Sequence, residues 1–288
     1  MNKNTIHIIG GPTASGKSSA AMQLARETNG VIINADSVQI YNALPILTAQ
    51  PTAQDKAEIP HILYGARDPN DPYSAGNWRE DVIPLIENIL KNGQTPIICG
   101  GTGLYIKALM HGLSPMPDIP DHIRKEANET QAKLGNPAFH AELAKIDPVM
   151  ADRFHAGHTA RLIRAYEVIR ATGKSLAEWQ TLPREKPPEH WVFDLQKIIP
   201  ERETLYNNCN KRFEIMLENG ALDEVAAFAE KIENGTINQG TPATKALGFK
   251  ELRAYLTGKI TKDEAITTAQ TATRHYAKRQ TTWFRNQL

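Results

Sequence analysis

The stretch that decides the fold is Gly11-Pro12-Thr13-Ala14-Ser15-Gly16-Lys17-Ser18. It matches G-x-x-x-x-G-K-S/T, the pattern of loops that bind phosphate between a strand and a helix. The flanking residues fit this pattern. An apolar, strand-like run at Thr5–Ile9 precedes the loop, and a helix-forming run at Gly16–Thr28 begins within its last three residues. Backbone N–H groups of such a loop and the following helix N-terminus bind phosphate oxygens. The sequence therefore predicts a phosphate-binding loop at residues 11–18.

Two side chains of this loop indicate what it binds. An ammonium group such as that of Lys17 places a point charge on terminal phosphates, and a hydroxyl such as that of Ser18 is suited to Mg²⁺. The other interpretation is a glycine-rich turn without a binding function. Lys17 and Ser18, at the K and S/T positions of the pattern, argue against it. We expect a ligand with at least two linked phosphates and Mg²⁺ as the cofactor.

Strand and helix signals alternate after the loop. Val31–Asn34, Ile59–Gly65 and Thr95–Cys99 have the apolar composition of buried strands, and Asn77–Asn92 has helical spacing with Pro84 inside it, where a kink can form. This alternation predicts an α/β fold, a P-loop NTPase-like parallel sheet flanked by helices.

A helical region interrupts this pattern. The proline-rich stretches Gly112–Pro120 and Pro183–Pro188 bracket it, and no strand signal lies between them. We expect an all-helical insertion over 115–190, followed by a return strand at Trp191–Ile198. The catalytic core then comprises 1–114 and 191–288.

The composition excludes several classes of protein. The 33 Lys and Arg residues nearly balance the 32 Asp and Glu residues, so a nucleic-acid partner needs a local basic patch. The cysteines, Cys99 and Cys209, lie far apart, which argues against a zinc module or a disulfide framework. No apolar run approaches the roughly 20 residues of a membrane span. We expect a cytoplasmic monomer with no membrane partner.

A carboxylate follows the second strand signal. Asp36 comes just after Val31–Asn34, at the sheet edge where ligands bind in α/β proteins. The residues alone leave three roles open: a magnesium ligand, a general base or a helix N-cap. The strand at Thr95–Cys99 ends in Gly-Gly-Thr-Gly at 100–103 and lacks the terminal Asp of motor-type ATPases. That weakens the ATPase interpretation, although some small kinases also lack this Asp.

Six blocks in order resemble the bacterial tRNA isopentenyltransferase family, the tRNA dimethylallyltransferases. They extend over nearly the whole chain: GPTASGKS (11–18), INADSVQIY (33–41), CGGTGLYIKAL (99–109), ARLIRAYEVI (160–169), KRFEIMLENGALDEV (211–225) and ATRHYAKRQTTWFR (272–285). The resemblance implies transfer of a dimethylallyl group from dimethylallyl diphosphate to N6 of adenosine 37 in tRNA. The phosphate loop would then hold a leaving group instead of ATP.

The resemblance also implies the catalytic residues. Asp36 would take the proton from N6, a weak nucleophile whose lone pair is delocalised into the adenine ring. Arg212, with the phosphate loop and Mg²⁺, would stabilise the diphosphate leaving group. Thr102 would orient the target nucleotide, although a turn-capping hydroxyl is the alternative. Chemistry on a base also requires that the base leave its stack for a pocket.

Contacts with the tRNA anticodon stem-loop are implied in the same way. Local charge supports them, since five basic residues and one acidic residue lie within 153–174, and no acidic residue follows Glu264. The alternative is that these basic residues simply form a solvent-exposed helix face, as charged runs usually do. The implied contact residues are Asp36, Ser37, Val38, Gln39, Thr102, Arg124, Ala160, Arg161, Leu162, Ile163, Arg164, Lys245, Ala246, Leu247, Gly248, Phe249 and Lys250.

The chain departs from the family pattern at a few positions. Ala160 stands where the family has Gln, and Asn208 stands where Arg is frequent. Lys245 and Lys250 occupy positions where Arg is common. The phosphate loop and the three catalytic positions keep the family's residues, so we expect activity.

Three other functions remain as alternatives. An adenylate isopentenyltransferase would use the same donor with a free nucleotide as the acceptor. A small-molecule kinase is suggested by the phosphate loop alone and would bind ATP. An inactive RNA-binding module would need none of the catalytic residues, which the chain nevertheless retains.

Overall fold

A computed structural model describes residues 4–288, and within them five parallel strands form one sheet in the order β3-β2-β4-β1-β5. The strands are β1 Thr5–Gly10, β2 Gly30–Asn34, β3 His61–Ile62, β4 Thr95–Gly100 and β5 Val192–Lys197. The predicted parallel sheet flanked by helices is confirmed. The third strand is shorter than the predicted Ile59–Gly65, because Leu63 has a φ of 63° and ends the extended backbone.

Helices make up most of the remaining chain. The helix over Ala75–Lys91 continues past Pro84 without a break. In order they are α1 Lys17–Thr28, α2 Ala53–Glu58, α3 Ala75–Lys91, α4 Gly103–His111, α5 Asp121–Ile146, α6 Pro148–Arg153, α7 Thr159–Thr172, α8 Leu176–Thr181, α9 Arg202–Glu218, α10 Ala221–Glu233, a 3₁₀ turn at Pro242–Lys245, α11 Phe249–Leu256 and α12 Lys262–Gln287. None of these helices is long and apolar enough to cross a membrane, as far as the described residues go.

The chain divides into two compact units. One comprises Met1–Met110 with Pro187–Leu288, and the other comprises His111–Lys186. The second unit starts and ends slightly earlier than the predicted insertion, 115–190. Helices α5 to α8 fill it around a core of their own, with Phe139 and Leu162 fully buried. Gly135, with a φ of 71°, interrupts α5.

The larger unit buries both faces of the three central strands, β1, β2 and β4. On one face, isoleucines of β1, β2 and β4 pack with Trp78 and Val82 of α3 and with Phe284 of α12. On the other face, the strands pack against Ala21 and Ala25 of α1. Burial of both faces explains why these strands are continuously apolar. Their carboxyl ends carry the loops that form the candidate site.

Candidate active site

The phosphate loop connects β1 to α1 and is held by side chains of α9. Lys17 Nζ donates to the Pro12 carbonyl at 3.0 Å, and Gly16 has a φ of 91° that favours glycine. From α9, Arg212 donates to the Thr13 hydroxyl, and Asn208 Nδ2 donates to the Ala14 carbonyl at 3.3 Å. The loop is therefore closed on one side by α9.

Lys17 and Arg212 form a partly buried cationic pair at this loop. Burial lowers the pKa of Lys17, and the Arg212 guanidinium lowers it further, whereas Cys99 and Asp36 act in the opposite direction. Burial also lowers the pKa of Arg212. In the described part of the chain, neither cation forms an ion pair with a carboxylate. A bound diphosphate would compensate for the cost of placing two cations together.

Asp36 follows β2 in a loop that Asn34 holds in place. The Asp36 N–H donates to Asn34 Oδ1 at 2.8 Å, and Asn34 Nδ2 donates to the Leu63 carbonyl at 2.9 Å. Asp36 Oδ1 accepts from the N–H groups of Val38 and Gln39 at 3.0 and 3.4 Å, which stabilises a turn and not a helix. Among the described residues, Oδ2 has no hydrogen-bond partner and is available to a ligand.

Thr102 lies beside Asp36 because the ends of β2 and β4 are in contact. A Cβ on Gly100 would overlap the Ala35 carbonyl, so only glycine allows this approach. The Thr102 N–H donates to the same carbonyl at 3.1 Å. Its hydroxyl accepts from the Ser37 N–H at 2.9 Å, so it contacts the Asp36 loop and does not merely cap its own turn.

A small cavity of about 60 Å³ lies between the phosphate loop and Asp36. Gln39 borders it and donates to the carbonyls of Thr48 and Ala49 at 2.8 and 2.9 Å. Burial raises the pKa of Tyr64 well above its ordinary value and that of Cys99 to about 11, so both remain neutral at pH 7. The lining residues are Thr13, Lys17, Ser18, Asp36, Gln39, Thr48, Ala49, Tyr64, Cys99, Gly100 and Arg212.

The predicted site residues did not include five residues of this lining: Thr48, Ala49, Tyr64, Cys99 and Gly100. Tyr64 follows β3, so the rule that ligands bind beyond the carboxyl ends of strands could have indicated it. Thr48 and Ala49 lie in an irregular segment whose path no periodicity predicts. Ala49 has a φ of 55°, which a sequence does not show for an alanine.

The oxygen groups of the site suit Mg²⁺. Ser18 and Asp36 border the same cavity and supply hydroxyl and carboxylate oxygens. Within the described residues, no cluster of three or more His, Cys, Asp or Glu could hold a metal ion alone. Mg²⁺ is usually held by one or two protein oxygens together with phosphate oxygens and water, so this small donor set fits it.

In the helical unit, Arg161 and Arg164 differ in their surroundings. Arg161 is exposed and lies over the Phe154 ring at 5.9 Å. Arg164 is half-buried and lies 3.4 Å from the buried Glu167. Leu162 belongs to the core, whereas Ala160 is exposed and Ile163 is half-buried. Arg124 is exposed, and its Nε donates to the Ile119 carbonyl at 3.2 Å.

The stretch at 245–250 presents only part of itself to the surface. Lys245 and Lys250 are exposed, whereas Ala246 and Phe249 are buried in the core of the larger unit. Gly248 has a φ of 92° and packs against the Phe213 ring, and Leu247 is half-buried. Side-chain contact with RNA is therefore open chiefly to the two lysines.

Comparison with known proteins places this chain in a family. Residues 39–287 match the family model described as "IPP transferase", and residues 4–67 match the one described as "Isopentenyl transferase". Among curated relatives, the tRNA dimethylallyltransferase of Paramagnetospirillum magneticum is 50% identical over 98% of this chain and 88% of its own. That of Rhodospirillum centenum is 46% identical over the same shares.

Solved structures agree with this result. The tRNA isopentenylpyrophosphate transferase of Bacillus halodurans has a TM-score of 0.68 and 34% identity, covering 99% of this chain and 88% of its own. A eukaryotic dimethylallyltransferase acting on tRNA has a TM-score of 0.79 and 27% identity, and the match covers 98% of this chain and 70% of the eukaryotic one. The resemblance read from the motifs is thereby confirmed: the chain belongs to the IPP transferase family.

Proposed function

We propose that this chain transfers a dimethylallyl group from dimethylallyl diphosphate to N6 of adenosine 37 in the tRNA anticodon stem-loop. The observation that carries the proposal is the position of Asp36 on the same small cavity as the Lys17–Arg212 pair. A proton acceptor thus lies next to an anion site, as prenyl transfer from a diphosphate to an amine requires. The relatives named tRNA dimethylallyltransferase support this reaction. We place the enzyme in the cytoplasm as a monomer.

The reaction forms one bond and breaks another. The lone pair of N6 attacks C1 of the dimethylallyl group, the C1–O bond breaks, and diphosphate leaves with the electron pair. The N6 proton passes to the carboxylate of Asp36, whose Oδ2 is available for it. Thr102 would orient the nucleotide beside this carboxylate. The alternative interpretation of Asp36 as a helix N-cap lacks support, because a turn follows it.

The phosphate loop would stabilise the departing diphosphate. Lys17 and Arg212 would bind its oxygens, and the backbone N–H groups of the loop would add fixed dipoles. The charge on these oxygens increases as the C1–O bond breaks, so the interactions strengthen towards the transition state. Mg²⁺, held by Ser18 and the diphosphate, would supply further positive charge to the same leaving group.

The experiment that tests the proposal uses labelled dimethylallyl diphosphate. The purified chain is incubated with the donor, Mg²⁺ and one of three acceptors: an unmodified tRNA transcript, the same transcript with guanosine at position 37, or AMP. We expect label on the first transcript alone. Label on AMP alone would support an adenylate isopentenyltransferase, and label on the second transcript would place the acceptor elsewhere. Phosphate transfer from labelled ATP would support a kinase.

Arg161→Ala is expected to weaken tRNA binding and to reduce the salt dependence of binding. Arg161 is exposed and forms no ion pair with a carboxylate among the described residues. Loss of one phosphate contact lowers the slope of log K against log salt by about one. The measurement is the tRNA dissociation constant at several salt concentrations.

Arg170→Ala is the matched control for this test. Arg170 lies on the same helix, α7, but is paired with Glu126 at 3.1 Å. Its substitution should leave the salt slope unchanged. Equal slopes for the wild type and Arg161→Ala would make Arg161 a surface residue without a role in binding.

A further inference from the structure

A buried side-chain amide on the last helix, α12, bonds to both loops of the site. Gln280 is 6% exposed. Its Oε1 accepts a hydrogen bond from the Thr13 N–H at 2.8 Å, and its Nε2 donates to the Gly101 carbonyl at 2.8 Å. Because a backbone N–H only donates and a carbonyl only accepts, these partners determine the orientation of the amide.

The two partners belong to different parts of the proposed reaction. Thr13 is in the phosphate loop, which would hold the prenyl donor. Gly101 immediately precedes Thr102, whose hydroxyl accepts from the Ser37 N–H next to the proposed base. The amide of Gln280 therefore connects the donor-binding loop with the acceptor-binding turn.

Packing alone does not account for an amide at this position. A Cβ on Gly101 would overlap the Gln280 amide, and one on Gly103 would overlap the Trp283 ring, so α12 lies close against this turn. An apolar side chain would fill the space but would leave the Thr13 N–H and the Gly101 carbonyl without these partners, which costs free energy. A buried amide is tolerated when its donor and acceptor are both bonded, as they are here.

We infer that Gln280 is a positioning residue, which sets the distance between the diphosphate in the phosphate loop and the adenine oriented by Thr102. The inference rests on the proposed function, because it assigns the donor to one loop and the acceptor to the other. Gln280 acts through these loops and touches no reacting atom. Prenyl transfer needs N6 and C1 close together and aligned, and a displacement of about 1 Å can cost about 10²-fold in rate.

The variant Gln280→Met tests this inference. It fills a similar volume and removes both hydrogen bonds. We expect kcat for transfer to a tRNA transcript to fall about 10- to 100-fold, with the KM of either substrate changed less than about threefold. Thermal unfolding of the same preparation measures how much protein is folded, so that the loss of kcat is expressed per folded enzyme.

The variant Gln280→Glu adds a readout that a structural role would not change. A protonated carboxyl group offers one donor and one acceptor, as the amide does, whereas an ionised one only accepts. We expect the kcat of Q280E, as a ratio to wild type, to rise about tenfold from about pH 8 to about pH 6, since burial raises a carboxyl pKa. The ratio for Q280M should stay constant.

The ionisable groups of the surrounding elements enter this pH comparison. Arg212 from α9 donates to the Thr13 hydroxyl, and Tyr276 lies one turn before Gln280 on α12. Burial raises the pKa of Tyr276, with Asp36 adding to the effect, so this phenol stays neutral over the range. Taking the ratio to wild type at each pH removes the pH effects that the variant and the wild type share.

Gln270→Met provides the matched control. Gln270 lies on the same helix and donates to the Asn210 carbonyl at 3.3 Å and to Glu214 at 3.2 Å, both on α9. Its kcat should stay within about twofold of wild type. The inference would be overturned, and the proposed function left standing, if Q280M kept the wild-type kcat per folded enzyme. The same would follow if the kcat of Q280E, as a ratio to wild type, did not change with pH. A wild-type protein that transfers no label to tRNA would overturn the proposed function and this inference together.

Discussion

Asp36→Asn is expected to lower kcat for prenyl transfer about 10³-fold, within the range for loss of a positioned general base. Asparagine cannot take the proton from N6, yet its Oδ1 can still accept from the N–H groups of Val38 and Gln39. The turn after β2 should therefore persist, and tRNA affinity should change little. The measurement is the rate of label transfer in a single turnover, with the tRNA dissociation constant measured in parallel.

Asp68→Asn is the matched control for this substitution. The exposed Asp68 also accepts a hydrogen bond within its own turn, from the Asn70 N–H at 2.8 Å, and it does not line the cavity. Its substitution should leave the rate unchanged. An Asp36→Asn variant with wild-type turnover would remove the base role, and one that lost only tRNA affinity would make Asp36 a binding residue.

Lys17→Met is expected to lower kcat/KM for dimethylallyl diphosphate about 10³-fold. Removal of one group that stabilises developing negative charge typically costs 10²- to 10³-fold in kcat alone, and weaker donor binding adds to this. Lys17 also donates to the Pro12 carbonyl, so thermal unfolding is measured beside the kinetics. Unlike Asp36→Asn, this variant should raise the KM for the donor, because in the proposed mechanism the lysine binds the diphosphate before and during transfer.

Lys91→Met serves as the control for loss of a lysine. Lys91 ends α3, is exposed, and does not line the cavity. We expect wild-type kinetics from it. If Lys17→Met also kept its kcat/KM, the diphosphate would have to bind away from the phosphate loop.

The parts of the site that local sequence predicts are those built from contiguous residues. The phosphate loop needs only the turn between β1 and α1, so eight consecutive residues specify it. Asp36 follows a strand, and the parallel arrangement of strands brings their carboxyl ends to one sheet edge. The strand rule therefore predicted that Asp36 lies near the loop, whereas Thr102 was indicated by the family resemblance.

Tertiary packing decides the rest, because it brings together residues that are far apart in the chain. Arg212 and Gln280 reach Thr13 across 199 and 267 positions, through the packing of α9 and α12 on the larger unit. Family resemblance indicated Arg212, but local periodicity gave no partner for either residue. Gln280 lies within a run of basic residues on α12, at a helix position that is buried. The sequence alone does not show what a polar residue does at such a position, because its partners, Thr13 and Gly101, come from other loops.

The sequence by itself thus determined the phosphate loop, the α/β class and the family, since each depends on short, ordered patterns. Only the tertiary structure decided that Phe249 is a core residue and not a surface contact, and that β3 ends at Ile62. It also decided that one amide, that of Gln280, joins the phosphate loop to the turn at Gly101. Burial and long-range hydrogen bonds depend on how helices pack, and packing is a property of the whole chain.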